Sequence, residues 1–255
     1  MTQETFNILI AAWVALALLL APIQLVVVPA YGRHRRADWG PEIGNRLGWV
    51  IMELVSPIAF LAPLAAGLLA GAYSVPIYVF AFLWSAHYVN RSLVYPLTIR
   101  TSVRTIPVAI VASGILFNAV NGWSNGYYLA SPWADYGAEW LLDPRFLAGL
   151  ALFLLGAAIN IDADRRLMRL RNGAKHTDYV IPQGGLFRWV SCPNHLGEII
   201  EWSGFALACW NLPAAAFAVW TAANLGPRAW AHHRWYRRKF PDYPPSRKGL
   251  IPFVL

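Results

Sequence analysis

Residues 160–202 read NIDADRRLMRLRNGAKHTDYVIPQGGLFRWVSCPNHLGEIIEW, and they decide how the rest of the chain is understood. The stretch begins at the end of one apolar run and finishes inside the next. Between them lie Arg165, Arg166, Arg169, Arg171, Lys175 and Arg188, a Pro182-Gln183-Gly184-Gly185 turn, and several carboxylates. A loop that merely joins two membrane helices needs none of these. Glycines let backbone approach a ligand closely, and Ser191-Cys192-Pro193 reads as a helix start with Pro193 at the first helical position. A helix N-terminus flanked by arginines suits phosphate or pyrophosphate. The turn is not GxGxxG and no strand precedes it, which excludes a Rossmann fingerprint. The stretch is read as holding an anionic cofactor at a membrane edge, although the Gly-Gly pair by itself reads more readily as an ordinary turn.

Working outward, the 255 residues are 57% hydrophobic and 13% charged, against roughly 25% charged in soluble domains. That composition points to a polytopic all-α membrane protein. The net charge of +8 raises nucleic acid as a partner. The basic residues interrupt apolar runs instead of forming a stripe, so membrane topology explains them and no nucleic acid is expected. Thirteen Trp and eleven Tyr fit interfacial belts.

Seven runs are long enough to span a bilayer: Phe6–Ala30, Leu47–Gly71, Val75–Tyr95, Ile106–Asn121, Arg145–Ile161, Leu196–Trp210 and Pro213–Trp230. The first has no basic residue ahead of it and exceeds a signal-peptide core, so it is kept as a span. The junctions Ala72–Ser74 and Asn211–Leu212 imply helical hairpins, and residues 162–195 form a cofactor loop within one catalytic domain, 1–255. With the N-terminus outside and the C-terminus cytoplasmic, 20 of the 21 Lys and Arg fall on the cytoplasmic side. Only Arg145 lies opposite, in keeping with the positive-inside rule. Contact with anionic lipid would account for most of these arginines as well.

Polar residues inside the spans mark candidate chemistry. Asn194, Glu198 and Glu201 share one helix face at i, i+4 and i+7, where they could line a polar cavity or pair with loop arginines. Glu53 lies about six residues into the second span, roughly 9 Å deep. Tyr88 lies about seven residues before the end of the third, at similar depth. A carboxyl beside a phenol can stay protonated and polarise a carbonyl oxygen; the same pair could simply lock the hairpin. His232 and His233 point about 100° apart on a helix, so no metal site is expected, and Cys192 and Cys209 fit no metal spacing.

At these residues the chain resembles the steroid 5α-reductase family, in a bacterial-type form. The likeness is carried by Asn160-Ile161, Tyr179, Ile181–Phe187 (IPQGGLF), Asn194, Leu196–Trp202 (LGEIIEW), the tail from Asp242 to Phe253, Met52-Glu53-Leu54 and His87-Tyr88. The resemblance implies NADPH-dependent reduction of the C4–C5 double bond of a 3-oxo-Δ4 steroid or a similar flat enone. Glu53 and Tyr88 then hold the ketone as catalytic residues. Asn160, Asp164, Arg171, Tyr179, Asn194, Glu198, His232, Tyr236, Arg91 and Tyr31 contact NADPH, and Trp49 and Trp202 wall the substrate pocket. It also implies a monomer in the bilayer, in a bacterial inner membrane or an endoplasmic reticulum membrane, with the cofactor facing the cytoplasm. The chain departs from the pattern at Val180, where relatives carry a basic residue, and across Leu97–Arg104. Arg100, Arg104 or Arg188 could supply the missing charge. The alternative reading is a membrane methyltransferase of the isoprenylcysteine type using S-adenosylmethionine, with which Asn194–Glu198 is loosely compatible. That cofactor lacks phosphates, so the arginines favour NADPH.

Overall fold

The computed structural model describes residues 1–36, 38–98, 104–173 and 179–254, with side chains at 171–173 outside that description. The described chain is mostly helical: α1 (Gln3–Val26), α2 (Asn45–Ala70), α3 (Val75–Val89), α4 (Tyr95–Thr98), α5 (Val108–Ala130), α6 (Pro144–Gly173), α7 (Pro193–Cys209) and α8 (Leu212–Lys239). A π-helical segment, Asn90–Val94, joins α3 to α4 without a break. Among the described residues, Gln3–Val26, Asn45–Ala70 and Pro144–Leu170 are long and apolar enough to cross a membrane. Leu9, Leu16, Leu18, Leu19 and Leu25 of α1 are exposed. A row of bare leucines on one helix suits lipid and not water. The chain is an integral membrane protein.

Each of the seven expected spans falls on a helix, but three helices outrun their apolar stretch. α5 continues past Asn121 to Ala130, α8 past Trp230 to Lys239, and α6 past Ile161 to Gly173. The front of the expected cofactor loop, residues 162–173, is therefore helix. Its Ala, Leu, Met and Arg residues are good helix formers whatever their polarity.

The chain divides into two compact units, one comprising Met1–Ile10, Pro29–Ile99 and Val103–Leu147, the other mainly Ala11–Val28 and Ala148–Leu255. In the first, α2 and α5 run parallel at very short range. Gly114, Gly122 and Gly126 of α5 meet Met52, Ser56 and Phe60 of α2 in that order. Small residues every four positions let helix backbones touch. Two short strands ahead of these helices, β1 (Glu42–Gly44) and β2 (Thr105–Pro107), pair antiparallel and fix the register at which α2 and α5 begin. Arg35 reaches both oxygens of Glu42, at 3.0 and 2.6 Å, and Thr105 donates to the same carboxylate at 2.6 Å. The Arg35 hydrogen bond, then that of Thr105, holds the Glu42 carboxyl below its usual range.

In the second unit α6 and α7 run antiparallel. Gly149 faces Gly204 and Ala208, whereas Gly156 faces Gly197 and Glu201. The Trp220 indole donates to the Trp13 carbonyl at 2.9 Å, and the two indole rings lie 4.5 Å apart. Pro193 opens α7, as its fixed φ favours.

Candidate active site

In the first unit the polar side chains of three helix segments converge. Asn118 of α5 donates through Nδ2 to the Met52 carbonyl of α2 at 2.7 Å. Its Oδ1 accepts from the Tyr88 hydroxyl at 3.3 Å. Tyr88 and Asn118 are each 3% exposed, so these bonds lie out of contact with water. Glu53, the next residue on α2, faces Arg91 at 3.9 Å, with both side chains nearly buried. That distance is outside hydrogen-bonding range, so charge proximity and not a hydrogen bond links these two atoms.

The π-helical segment explains why Arg91 is there. One extra residue in the turn shifts the side chains that follow it, and such bulges recur at functional sites. Arg91 stacks over Trp49 and Tyr95, at 5.5 and 5.2 Å from the ring centres. Tyr31 adds an edge contact to Trp49. Ser92 donates to the Tyr88 carbonyl at 2.5 Å, pinning the backbone that carries the phenol. The Tyr88 ring continues into a stack with Trp84 and Phe60. Glu53, Arg91, Tyr31 and Trp49 thus form one aromatic-walled polar group, and Asn118 ties Tyr88 to Met52, the residue before Glu53. Asn118 was not among the candidate residues read from the sequence. Its signal was the four-residue spacing Gly114, Asn118, Gly122, Gly126, which sets it on the face of α5 that touches α2.

In the second unit Asn160 donates to the Asn194 carbonyl at 3.0 Å and reaches Glu198 at 3.5 Å. Asp164 lies one turn further along α6 and is buried. The first turn of α7 has no side-chain cap at Cys192. Beside it, the His195 and His232 rings lie 5.5 Å apart. Arg228 and Tyr236, one turn either way from His232 on α8, are buried with it. Tyr179 packs its ring against Trp235 at 4.9 Å. Trp202 is enclosed by Phe153, Phe205 and Phe217. The side chain of Arg171 lies outside the described residues, as does Arg100. Arg188 lines a cleft of about 410 Å³ with Ile159, Asp162, Leu186 and Trp189.

The glycine turn has a protein partner of its own. Gly184 and Gly185 adopt φ of 79° and 51°. A Cβ on either would press on the Arg166 side chain, which is itself bonded to Asp162 at 2.7 Å. Arg247, 3% exposed, donates to the Pro182 carbonyl at 3.1 Å and to Gln183 at 3.3 Å. The tail is tied in next door. Ser191 Oγ meets His233 Nδ1 at 2.7 Å, the Tyr243 hydroxyl at 2.6 Å and the Lys248 carbonyl at 3.0 Å. Burial, and then the charges of Arg237, Lys248 and Arg247, hold His233 below its ordinary value of 6.5. The unfolded chain takes up this proton near pH 6.5, whereas the folded chain takes it only at lower pH. Stability is therefore full above about pH 6.5 and falls as the solution is acidified below it. The thermal midpoint should drop between about pH 7 and pH 5.5, and His233→Gln should flatten that dependence.

A family model described as 3-oxo-5-alpha-steroid 4-dehydrogenase matches residues 104–255. The chain is 48% identical over 213 residues to 3-oxo-5-alpha-steroid 4-dehydrogenase 2 of Sus scrofa, covering 82% of this chain and 80% of that protein. It belongs to the 3-oxo-5-alpha-steroid 4-dehydrogenase family. Identity to 3-oxo-5-alpha-steroid 4-dehydrogenase 1 of Rattus norvegicus is 44% over 229 residues, covering 88% and 86% of the two chains. Identity to Steroid 5-alpha-reductase DET2 of Gossypium hirsutum is 38% over 255 residues, covering 98% and 94%. As a member of the 3-oxo-5-alpha-steroid 4-dehydrogenase family the chain is an oxidoreductase of the class acting on CH–CH bonds. The matches do not favour the methyltransferase alternative.

That family works with a nicotinamide cofactor, and the second unit has groups that fit one. The uncapped start of α7, with His195, His232 and Arg228 near it, is chemically suited to phosphate oxygens. The Asn160–Glu198 pair offers a donor and an acceptor of the kind a carboxamide needs.

Proposed function

We propose that the protein reduces the C4–C5 double bond of a 3-oxo-Δ4 steroid, or of a similarly flat apolar enone, with NADPH. The observation that carries this reading is a buried Tyr88–Asn118 hydrogen bond beside neighbouring positions of the same helices, Glu53 and Arg91, that face each other under Trp49. A ketone oxygen entering there would accept from the Tyr88 hydroxyl and from protonated Glu53. Both donors draw charge away from the β-carbon, C5, and stabilise the enolate that follows. Reduced nicotinamide would supply the hydride to C5, and a proton taken up at C4 completes the saturated ketone. Trp49 and Trp202 are assigned to the walls against the apolar rings.

On the cofactor side, Asn160, Asp164 and Glu198 are assigned to orienting the nicotinamide. Arg171, Asn194, His232, Tyr236 and the Gly184-Gly185 backbone are assigned to the phosphates, with Tyr179, Arg91 and Tyr31 as further contacts. Seven spans, an outside N-terminus and a cytoplasmic C-terminus complete the proposal. It describes a monomeric catalytic domain in a bacterial inner membrane or an endoplasmic reticulum membrane. The distribution of Lys and Arg supports that orientation.

The test is direct. Purified protein in detergent or lipid discs should convert a 3-oxo-Δ4 steroid to its 5α-dihydro product with NADPH, followed by product analysis across a panel of enones. No dihydro product from any of them would end the reading. Arg171→Ala should raise the Kd for NADPH several-fold while changing turnover at saturating cofactor far less. An unchanged Kd would remove Arg171 from the clamp.

A further inference from the structure

Asn118 occupies an unusual place. Along α5, Gly114 lies against the Met52 side chain, and Gly122 and Gly126 press on the backbone of α2 at Ser56 and Phe60. Asn118 falls in the same four-residue row, where a carboxamide stands in for the missing glycine. Asn121 donates to the Phe117 carbonyl and Asn125 to the Asn121 carbonyl, both bonds within α5 itself. Asn118 instead reaches across to α2 and to the phenol of α3.

The Met52 carbonyl settles which way the amide points. It can only accept, so Nδ2 must face it and Oδ1 must face Tyr88. The orientation of Oδ1 in turn settles the phenol, because an acceptor beside Tyr88 draws the hydroxyl proton toward itself. The two bonds are unequal: 2.7 Å to Met52 and 3.3 Å from Tyr88. The short bond anchors the amide, while the long one exceeds the usual range for a hydroxyl donor and is weak enough to be given up.

We propose that Asn118 is a positioning residue for Tyr88. It holds the phenol hydroxyl in a fixed rotamer and gives up that hydrogen bond when a ketone oxygen arrives as a better acceptor. Ser92 does the complementary work on the backbone side, holding the Tyr88 carbonyl. The phenol is thus constrained at both ends, and little of its ordering remains to be done when substrate binds.

The inference rests on the ketone-binding role assigned to Tyr88, and a double-mutant cycle separates the two. Wild type, Y88F, N118L and Y88F/N118L are assayed in lipid discs with NADPH and a 3-oxo-Δ4 steroid, reading kcat, KM and cofactor Kd. Leucine keeps the branched shape and removes both hydrogen bonds. The expected result is a kcat about tenfold lower in N118L, with cofactor Kd within about twofold of wild type. In the Y88F background the same substitution should cost less than about twofold, since its partner is already gone. An equal loss in both backgrounds would mean that Asn118 only packs α5 against α2, and an unaltered kcat in N118L would remove even that; either overturns the proposal. A Y88F chain with normal turnover would instead sink the ketone-binding reading beneath it. If N118L does not fold, N118S replaces it in the cycle with the same expectations, its hydroxyl being too short to reach Met52 and Tyr88 together.

Discussion

Tyr88→Phe is expected to lower turnover of a 3-oxo-Δ4 steroid by about 10²–10³-fold, the usual loss when one buried donor to a developing oxyanion is removed. The phenol is 3% exposed, so water cannot stand in for the missing hydroxyl. The ring itself should stay in place, because it packs on Trp84 at 5.5 Å and Trp84 stacks on Phe60 at 4.7 Å. Phenylalanine keeps those contacts and removes only the oxygen. The loss should appear in kcat, with KM and cofactor Kd moving little, because the hydrogen bond strengthens as charge builds on the ketone oxygen. Glu53→Gln should act in the same direction with a smaller effect, since an amide N–H still offers a donor where the carboxylic O–H stood. Arg91, 3.9 Å from that carboxyl, remains supported by Trp49 and Tyr95. Activity measured at saturating NADPH decides the matter. A Tyr88→Phe chain whose losses lay wholly in cofactor affinity would place the phenol at the wrong end of the reaction.

How far this could be seen in advance depended on what each residue pattern measures. Apolar runs located every helix of substantial length because lipid demands uninterrupted apolar side chains. They misjudged where helices end, since the backbone hydrogen-bond ladder does not stop where polarity begins. α6 passes from Ile161 through Asp162, Asp164 and Arg165 without a break, because none of those residues disrupts a helix. The pairing of Glu42–Gly44 with Thr105–Pro107 left no trace in the sequence. Three residues are too few to show alternation, and the two partners are far apart along the chain.

Depth counting from span ends set Glu53 and Tyr88 at a common level, and in the structure Met52 and Tyr88 share Asn118 as a bridge. Such counting gives height along a helix but says nothing of which third helix closes the group. That information lay in the spacing of glycines on α5, a packing signal and not a chemical one. The glycines of the Pro182–Gly185 turn carried the opposite ambiguity. They invited a ligand, yet Arg166 and Arg247 already fill much of the space around them.

Because glycine spacing sets the site, Gly126→Ala should be among the most damaging single substitutions in the chain. A methyl group there would land on the Phe60 carbonyl oxygen, with the Phe60 carbonyl carbon at 2.8 Å and its Cα at 3.0 Å. Those are backbone atoms in the middle of α2 and cannot swing aside as a side-chain tip would. The helices must separate instead. Gly122 one turn earlier, whose own Cβ would lie 2.5 Å from the Ser56 carbonyl oxygen, would lose its contact as they part. Overpacking of this kind costs about 3 kcal/mol, which corresponds to a fall of roughly 10 °C in thermal midpoint for a chain of this size. The separation also reaches chemistry, because Asn118 lies two turns back in the same row and its 2.7 Å bond to Met52 depends on the helices touching. Whatever Gly126→Ala protein survives purification should therefore turn over more slowly per folded molecule. Gly226→Ala is the matching control. It sits inside α8 with nothing within 4 Å of the added carbon, and alanine is the better helix former by about 1 kcal/mol, so its midpoint should hold or rise. Equal midpoints for Gly126→Ala and wild type would show that α2 and α5 do not meet backbone to backbone, and the placement of Asn118 against Met52 and Tyr88 would fall with that contact.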